Sequence, residues 1–231
     1  NYLYVDSAKI EPTVDKYLQK NEILVRDYDS IYEALKSFKS KKILALQPDN
    51  IEEKNIISFV GGGGKTTSIY TLAKELSKLG KKVVVTTTTH MHMPEDFIDF
   101  KGNVNEIIER FKSENLITVG IKDRDGKFVG GGEKIAEKLI NLCDFLLIEA
   151  DGARMHPLKA PANYEPVILK NTTMVVGVAG IDSLFKSINK ICHRPEQVCK
   201  VLSKNYNHKI NTKDIANILG SEEGQRKNVK D

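Results

Sequence analysis

The 231-residue sequence predicts an α/β protein built on an open, doubly wound and mostly parallel sheet. Three observations carry that expectation. Short β-rich apolar runs alternate with segments of helical periodicity, and the connections between them are long enough for parallel crossovers. Glycine-rich and acidic residues then follow the ends of apolar strands, the edge at which such sheets bind ligands.

The elements are predicted in order along the chain. In residues 1–50, "NYLYVD", "EILVRDY" and "KKILAL" read as strands. Between them, Ile10, Val14, Tyr17 and Leu18 form one helical stripe, and "SIYEALKSF" forms another helix with Ser30 as its N-cap. The polar stretch "QPDNIEEKN" is the expected linker, so a small α/β unit over 1–50 precedes a larger domain over 51–231. The larger domain opens with the strand "IISFV", followed by a helix from Lys65 to Leu79 with Ile69, Leu72, Ala73 and Leu76 on its apolar face and Gly80 at its end. "KVVVTTTT" is a buried parallel strand by its unbroken β-branched run. "NEIIERFKSENL" and "EKIAEKLINLC" are helices, and "ITVGIKDRDGKFVGG" is a hairpin turning at Asp125-Gly126. "DFLLIEADGA" and "TMVVGVAGI" are further buried strands, and the remainder is expected to be helical and polar.

Composition narrows the function classes. With 40% hydrophobic and 29% charged residues the chain has the make-up of a soluble globular protein, and no run approaches the ~20 apolar residues of a membrane helix. The three cysteines, Cys143, Cys192 and Cys199, form no C-x-x-C pair, which favours a reducing, cytoplasmic setting. The net charge of +4 has its basic excess after Lys186, and without aromatic-basic interleaving this region reads as solvated helix faces and not as a nucleic-acid surface. The chain opens at Asn1 and not at methionine, so its natural N-terminus is expected to lie upstream.

The stretch "ISFVGGGGKTT" carries the chemistry. Small residues let backbone N–H groups point at one anion, and the following helix adds the positive end of its dipole. A lysine then reaches the phosphates, and a hydroxyl ligates Mg²⁺. Gly61, Gly62, Gly63 and Gly64 form the nest, Lys65 holds phosphate, and Thr66 with Thr67 completes the nucleotide-binding set. The strict G-x-x-x-x-G-K-[ST] spacing places Phe59 where its first glycine belongs, so this is a shorter P-loop. It resembles the loops of ParA/MinD-like ATPases and Mur-type ligases. Four glycines before Lys-Thr-Thr fit a ligand-free turn poorly, because each loses conformational entropy on folding.

After the apolar run Phe145 to Ile148, Glu149 and Asp151 point to the same face of a strand. Either is suited to hold the metal's water shell or to orient an attacking water. His90 and His92 end the threonine strand, on which Thr86 and Thr88 share one face and Thr87 and Thr89 the other. Thr88, His90 and His92 are expected to contact a second substrate; zinc ligation would require His156 as a third ligand and is the weaker reading. Arg154, Lys159 and Arg194 follow strands at the same expected edge and are suited to clamp an anion or to lie on the surface.

Taken together, "FVGGGGKTTSIYTLAKEL", "VVVTTTTHM", "LIEADGARMHPLKAPANYEPVI", "VVGVAGIDSL" and "HRPEQV" resemble the YqeC family of selenium-dependent molybdenum hydroxylase accessory proteins, also described as selenium cofactor biosynthesis proteins, across residues 51–229. The resemblance implies a cytoplasmic P-loop protein linked to maturation of those hydroxylases, while ATP or GTP with Mg²⁺ is the expectation from the loop itself. The resemblance also implies Gly61 to Thr66 for the nucleotide phosphates and Glu149 and Asp151 for metal and water, with a molybdenum hydroxylase or its cofactor intermediate as partner. The family pattern continues beyond "EEGQRKNVKD", so the domain is expected to be truncated at its C-terminus. Residues 1–50 resemble part of the N-terminal domain of Xaa-Pro aminopeptidases, without that enzyme's metal site.

The mechanism expected from these readings is Mg²⁺-dependent NTP hydrolysis. Lys65 holds the phosphates, Thr66 and Asp151 the metal, and Glu149 the water. An ATP-dependent ligase or activating transferase, and a nucleotide-switched binding module without turnover, are the competing expectations.

Overall fold

The computed structural model describes residues 55–229, and the expected α/β unit over 1–50 lies outside the described residues. Strand β1 (Asn55–Gly61) leads through the glycine loop into helix α1 (Lys65–Lys78). Then come β2 (Val83–Thr87), the short strands β3 (Met91–His92) and β4 (Phe97–Asp99), and helix α2 (Asn105–Arg110). The hairpin β5 (Leu116–Lys122) and β6 (Lys127–Val129) precedes α3 (Glu133–Ile140) and β7 (Phe145–Glu149). After β8 (Leu158–Lys159) and β9 (Met174–Val178), a 3₁₀ turn at Ile181–Ser183 begins a helical region. It holds α4 (Ile188–Ile191), β10 (Cys192–His193), α5 (Pro195–Leu202) and α6 (Thr212–Gly220).

The main sheet has eight strands in the order β3-β6-β5-β2-β7-β1-β9, with β4 also on β5. The pairs β4–β5, β5–β2, β2–β7, β7–β1 and β1–β9 are parallel, and β5–β6 and β6–β3 are antiparallel. The sheet is therefore mostly parallel, as expected, and its helices cover both faces. Ile69, Leu72, Ala73 and Leu76 of α1 bury against Ile57, Phe59, Val83, Val85 and Leu147 on one face. Ile107 of α2 and Ala136 and Leu139 of α3 bury against Ile56, Val84, Ile117, Leu146 and Ile148 on the other. Each such aliphatic side chain contributes on the order of 1.5–3 kcal/mol when fully buried, so the alternation along the strands fixes which helix lies on which side.

The hairpin turns at Asp125 (φ 57) and Gly126 (φ 69), the pair of left-handed residues that a two-residue turn demands. Two expectations are corrected. The strand "TMVVGVAGI" pairs only with β1 among the described residues, and its side chains are half-buried because it forms the sheet's edge. The C-terminal region is not simply polar: Leu158, Leu184, Ile188, Val198, Leu202, Ile210, Ile215 and Ile218 form a third apolar core. No helix among the described residues is long and apolar enough to cross a membrane.

Candidate functional site

The parallel strands β2, β7 and β1 end at one edge of the sheet, and α1 starts there. The glycine loop is shaped by its neighbours. Gly61 has φ 104, and a Cβ on it would collide with the Val178 carbonyl oxygen; a Cβ on Gly62 would lie 2.7 Å from that of His156. No larger residue lets the chain pass between β9 and the segment after β7. Gly63 and Gly64 are exposed, and α1 begins directly after them without a side-chain cap. The positive end of its dipole therefore faces the loop.

Lys65 is buried and folds back so that its ammonium donates to the Gly61 carbonyl at 2.5 Å and pairs with Asp151 Oδ1 at 3.1 Å. The adjacent Thr66 hydroxyl donates to Glu149 Oε2 at 2.7 Å. The sequence expectation joined Thr66 to Asp151 around a metal, whereas the structure brings Thr66 to Glu149. Asp151 is engaged elsewhere: fully buried, it accepts from the Gly61 N–H at 3.0 and 3.1 Å and pairs with Lys65 and Lys159. Register explains the division. Glu149 ends β7 opposite Phe59 of β1, on the α1 side of the sheet, and the chain then turns at Asp151 across the start of the loop.

Burial pushes the Glu149 carboxyl above its ordinary range, with Lys65 and the Thr66 hydrogen bond pulling it back in part. A carboxylate destabilised in this way, beside a hydroxyl oxygen at a helix N-terminus, is a donor set suited to a hard divalent cation that keeps waters and phosphate oxygens in its shell. The Gly61 N–H is taken by Asp151 and the Gly62 N–H by the Val178 carbonyl, so the N–H groups from Gly63 onward, at the exposed loop tip and the start of α1, are the ones suited to an anion such as phosphate. These residues therefore fit the Mg²⁺-nucleotide pair that the sequence implies.

Lys159, expected at a substrate, is turned inward. Its side chain is fully buried, and its ammonium meets Asp151 Oδ2 at 3.0 Å, Glu165 Oε2 at 2.7 Å and the Gly152 carbonyl at 2.7 Å, which uses all three of its donors. Burial alone would raise Glu165, but Lys159 and then Arg194 more than offset it and hold this carboxyl below its ordinary range. Arg194 donates to Glu165 at 2.8 Å, to the Tyr164 hydroxyl at 2.8 Å and to His193 Nε2 at 2.8 Å. A row of alternating charge thus runs Lys65, Asp151, Lys159, Glu165, Arg194.

The threonine–histidine strand end divides. Thr87 Oγ1 donates to the Glu149 carbonyl and Thr88 Oγ1 to the Val167 carbonyl, so both hydroxyls serve the backbone beside the site. His90 is exposed and pairs with Asp123 of the hairpin at 3.1 Å, and His92 is exposed on β3. His156 stacks instead on His193, with ring centroids 6.0 Å apart. Arg154 is exposed on the loop after Asp151, and Thr67 is exposed on the first turn of α1.

Sequence reasoning missed Glu165, His193, Tyr164 and Gln225 as parts of this neighbourhood. They join it through the two-residue pairing of β8 with β10, which sets His193 beside Lys159, and through Gln225 Nε2, which donates to the Lys159 carbonyl at 2.7 Å. The signal available was an acid six residues after a lysine in a proline-bounded loop, which by itself specifies no partner.

The family model described as "YqeC protein" matches residues 57–196, a span that holds the glycine loop, Glu149, Asp151, Lys159, Glu165 and Arg194. The chain is 30% identical over 209 residues to a protein of Escherichia coli strain K12 described as "Uncharacterized protein YqeC", covering 84% of this chain and 79% of that one.

Proposed function

This chain belongs to the YqeC family, and within it we propose that the protein is a Mg²⁺-dependent nucleotide-binding protein that hydrolyses ATP or GTP. The observation that carries the reading is the pairing of Thr66 with Glu149 directly beside Lys65, on a four-glycine loop that opens a helix. In this reading the loop N–H groups and Lys65 hold the phosphates, and Thr66 and Glu149 hold the cation. When bound, Mg²⁺ neutralises phosphate charge that develops as the bond to the leaving group breaks. Asp151 anchors the start of the loop and keeps Lys65 pre-positioned, so its negative charge serves geometry. The protein's own contribution is positioning and charge stabilisation, which together supply most of the catalysis of phosphoryl transfer.

Resemblance of the "EADGA", "PLKAP" and "HRPEQV" blocks to accessory proteins of selenium-dependent molybdenum hydroxylases supports placing this activity in maturation of those enzymes' cofactor, in the cytoplasm. Calorimetric titration of Mg-ATP and Mg-GTP into the protein tests the nucleotide reading. Wild type is expected to bind at least one of them, and Lys65→Ala to lose at least about a hundredfold in affinity, as expected when a charge-assisted phosphate contact goes. Equal affinity of wild type and Lys65→Ala would sink the reading.

A further inference from the structure

Asp151, Lys159, Glu165 and Arg194 are engaged with one another, and donors without a partner among the described residues lie beside them, on the segment after Asp151 and on β10. After Asp151 the chain turns through two successive left-handed, non-glycine residues, Arg154 (φ 46) and Met155 (φ 63). Residues with a Cβ adopt this conformation only against a steric cost, so the surrounding contacts must hold it. The segment then closes on the loop: the His156 carbonyl lies against Gly62, and the Pro157 carbonyl accepts from the Gly180 N–H at 2.7 Å. The turn therefore sets the His156 backbone against the glycine loop and leaves Arg154 exposed two residues before it, near enough to act on His193.

His193 stacks on His156 at 6.0 Å and receives Arg194 Nη1 on Nε2 at 2.8 Å. Arginine has no acceptor, so Nε2 must be the unprotonated nitrogen and the neutral ring carries its proton on Nδ1. Burial first, then Arg194, Lys159 and Arg154 against Glu165, hold His193 down at about 4, so the ring is neutral at neutral pH. Arg194, Lys159 and Arg154 thus act on this ring against Glu165. Among the described residues no hydrogen bond or ion pair engages the Arg154 guanidinium, the His156 ring nitrogens or His193 Nδ1. Positive potential with free N–H donors is suited to an oxyanion and repels a metal cation.

We propose that Arg154, His156 and His193 form an oxyanion subsite beside the glycine loop, which holds the phosphate or carboxylate group of a second substrate. Its role as a substrate site rests on the nucleotide reading above; its ability to bind an oxyanion does not. Arg154 supplies the charge, and the two imidazoles supply directional donors. Arg194, itself paired with Glu165, holds the His193 ring by its hydrogen bond, and His156 stacks on that ring.

The test follows the ring resonances of the five histidines of the full chain by NMR, assigned with His156→Gln and His193→Gln. Inorganic phosphate is titrated into wild type whose glycine loop is filled with Mg-ADP, and into Lys65→Ala without nucleotide. The expected result in both is a saturable shift of His156 and His193 alone, with the His193 titration midpoint moving up from about 4. Arg154→Gln, a change at an exposed side chain, is expected to weaken phosphate at least about tenfold, the loss of one charge-assisted hydrogen bond. Acetate moving the same two rings shows that carboxylates are accepted, and phosphate alone doing so selects a phosphoryl group; both support the subsite. Non-saturating shifts, or an affinity unchanged in Arg154→Gln, overturn it. Calorimetry of Mg-ADP runs in parallel: absence of Mg-ADP binding together with saturable histidine shifts in Lys65→Ala would fell the nucleotide reading and leave the subsite standing.

Discussion

Glu149 shows how a single residue sets the pH behaviour of the site. Its carboxyl is buried at a strand end, and burial raises its affinity for a proton more than Lys65 and Thr66 lower it. Between the ordinary carboxylate range and that raised value, the folded chain binds more protons than the unfolded one. Stability of the ligand-free protein therefore falls as pH rises through this window, by the sign of the linkage relation. Denaturant melts across mildly acidic pH should show that slope, and Glu149→Gln should flatten it. Affinity for Mg-nucleotide should move the opposite way, weakening as pH falls, because protonated Glu149 is a poor cation ligand. Cys192 is a second residue-scale case: burial pushes its thiol up to about 12, so it should resist alkylation in the folded protein and react only on unfolding.

At the scale of elements, two kinds of helix start can be separated by mutation. The start of α1 depends on glycine geometry, and Gly61→Ala would force a methyl onto the β9 backbone at positive φ. The expected cost is about 2 kcal/mol or more in stability, together with loss of Mg-nucleotide binding. The start of α6 is a capping box, in which Asn211 accepts from the Asp214 N–H at 3.0 Å and Asp214 Oδ2 accepts from the Asn211 N–H at 2.9 Å. Asn211→Ala should cost about 1 kcal/mol with nucleotide affinity retained. Thermal denaturation and calorimetry on the two variants would show whether the losses separate in this way.

Across the molecule, the sheet and the C-terminal helical region meet at the segment 159–166. Besides Gln225 on the Lys159 carbonyl, Lys227 donates to the Ala162 carbonyl at 2.7 Å and Asn228 to the Pro166 carbonyl at 3.0 Å. Residues 225–228 therefore fasten the segment that carries Lys159 and Glu165. Gln225→Ala leaves the Lys159 carbonyl without this donor, and the expected loss is about 1–2 kcal/mol. If the charge row positions Asp151, Mg-nucleotide affinity should fall with it. Retained affinity in a destabilised Gln225→Ala protein would confine the fastening to a structural role.

Much of this architecture was legible because its causes are local. Ile69, Leu72, Ala73 and Leu76 bury one stripe of α1 as their spacing requires, and Asp125-Gly126 turns the hairpin because two positive φ values are needed there. The glycine loop, Lys65, Thr66 and the strand ending in Glu149 likewise read directly from neighbouring residues. What the tertiary structure decided depends on contacts between distant segments. Thr66 faces Glu149 and not Asp151; Lys159 is saturated by Asp151 and Glu165; and β9 is an edge among the described residues. Periodicity sets which face of an element is apolar, but the partner of a buried charge is set by strand register and crossover. In this chain, residues 65, 151, 159, 165 and 194 become neighbours only when those are in place.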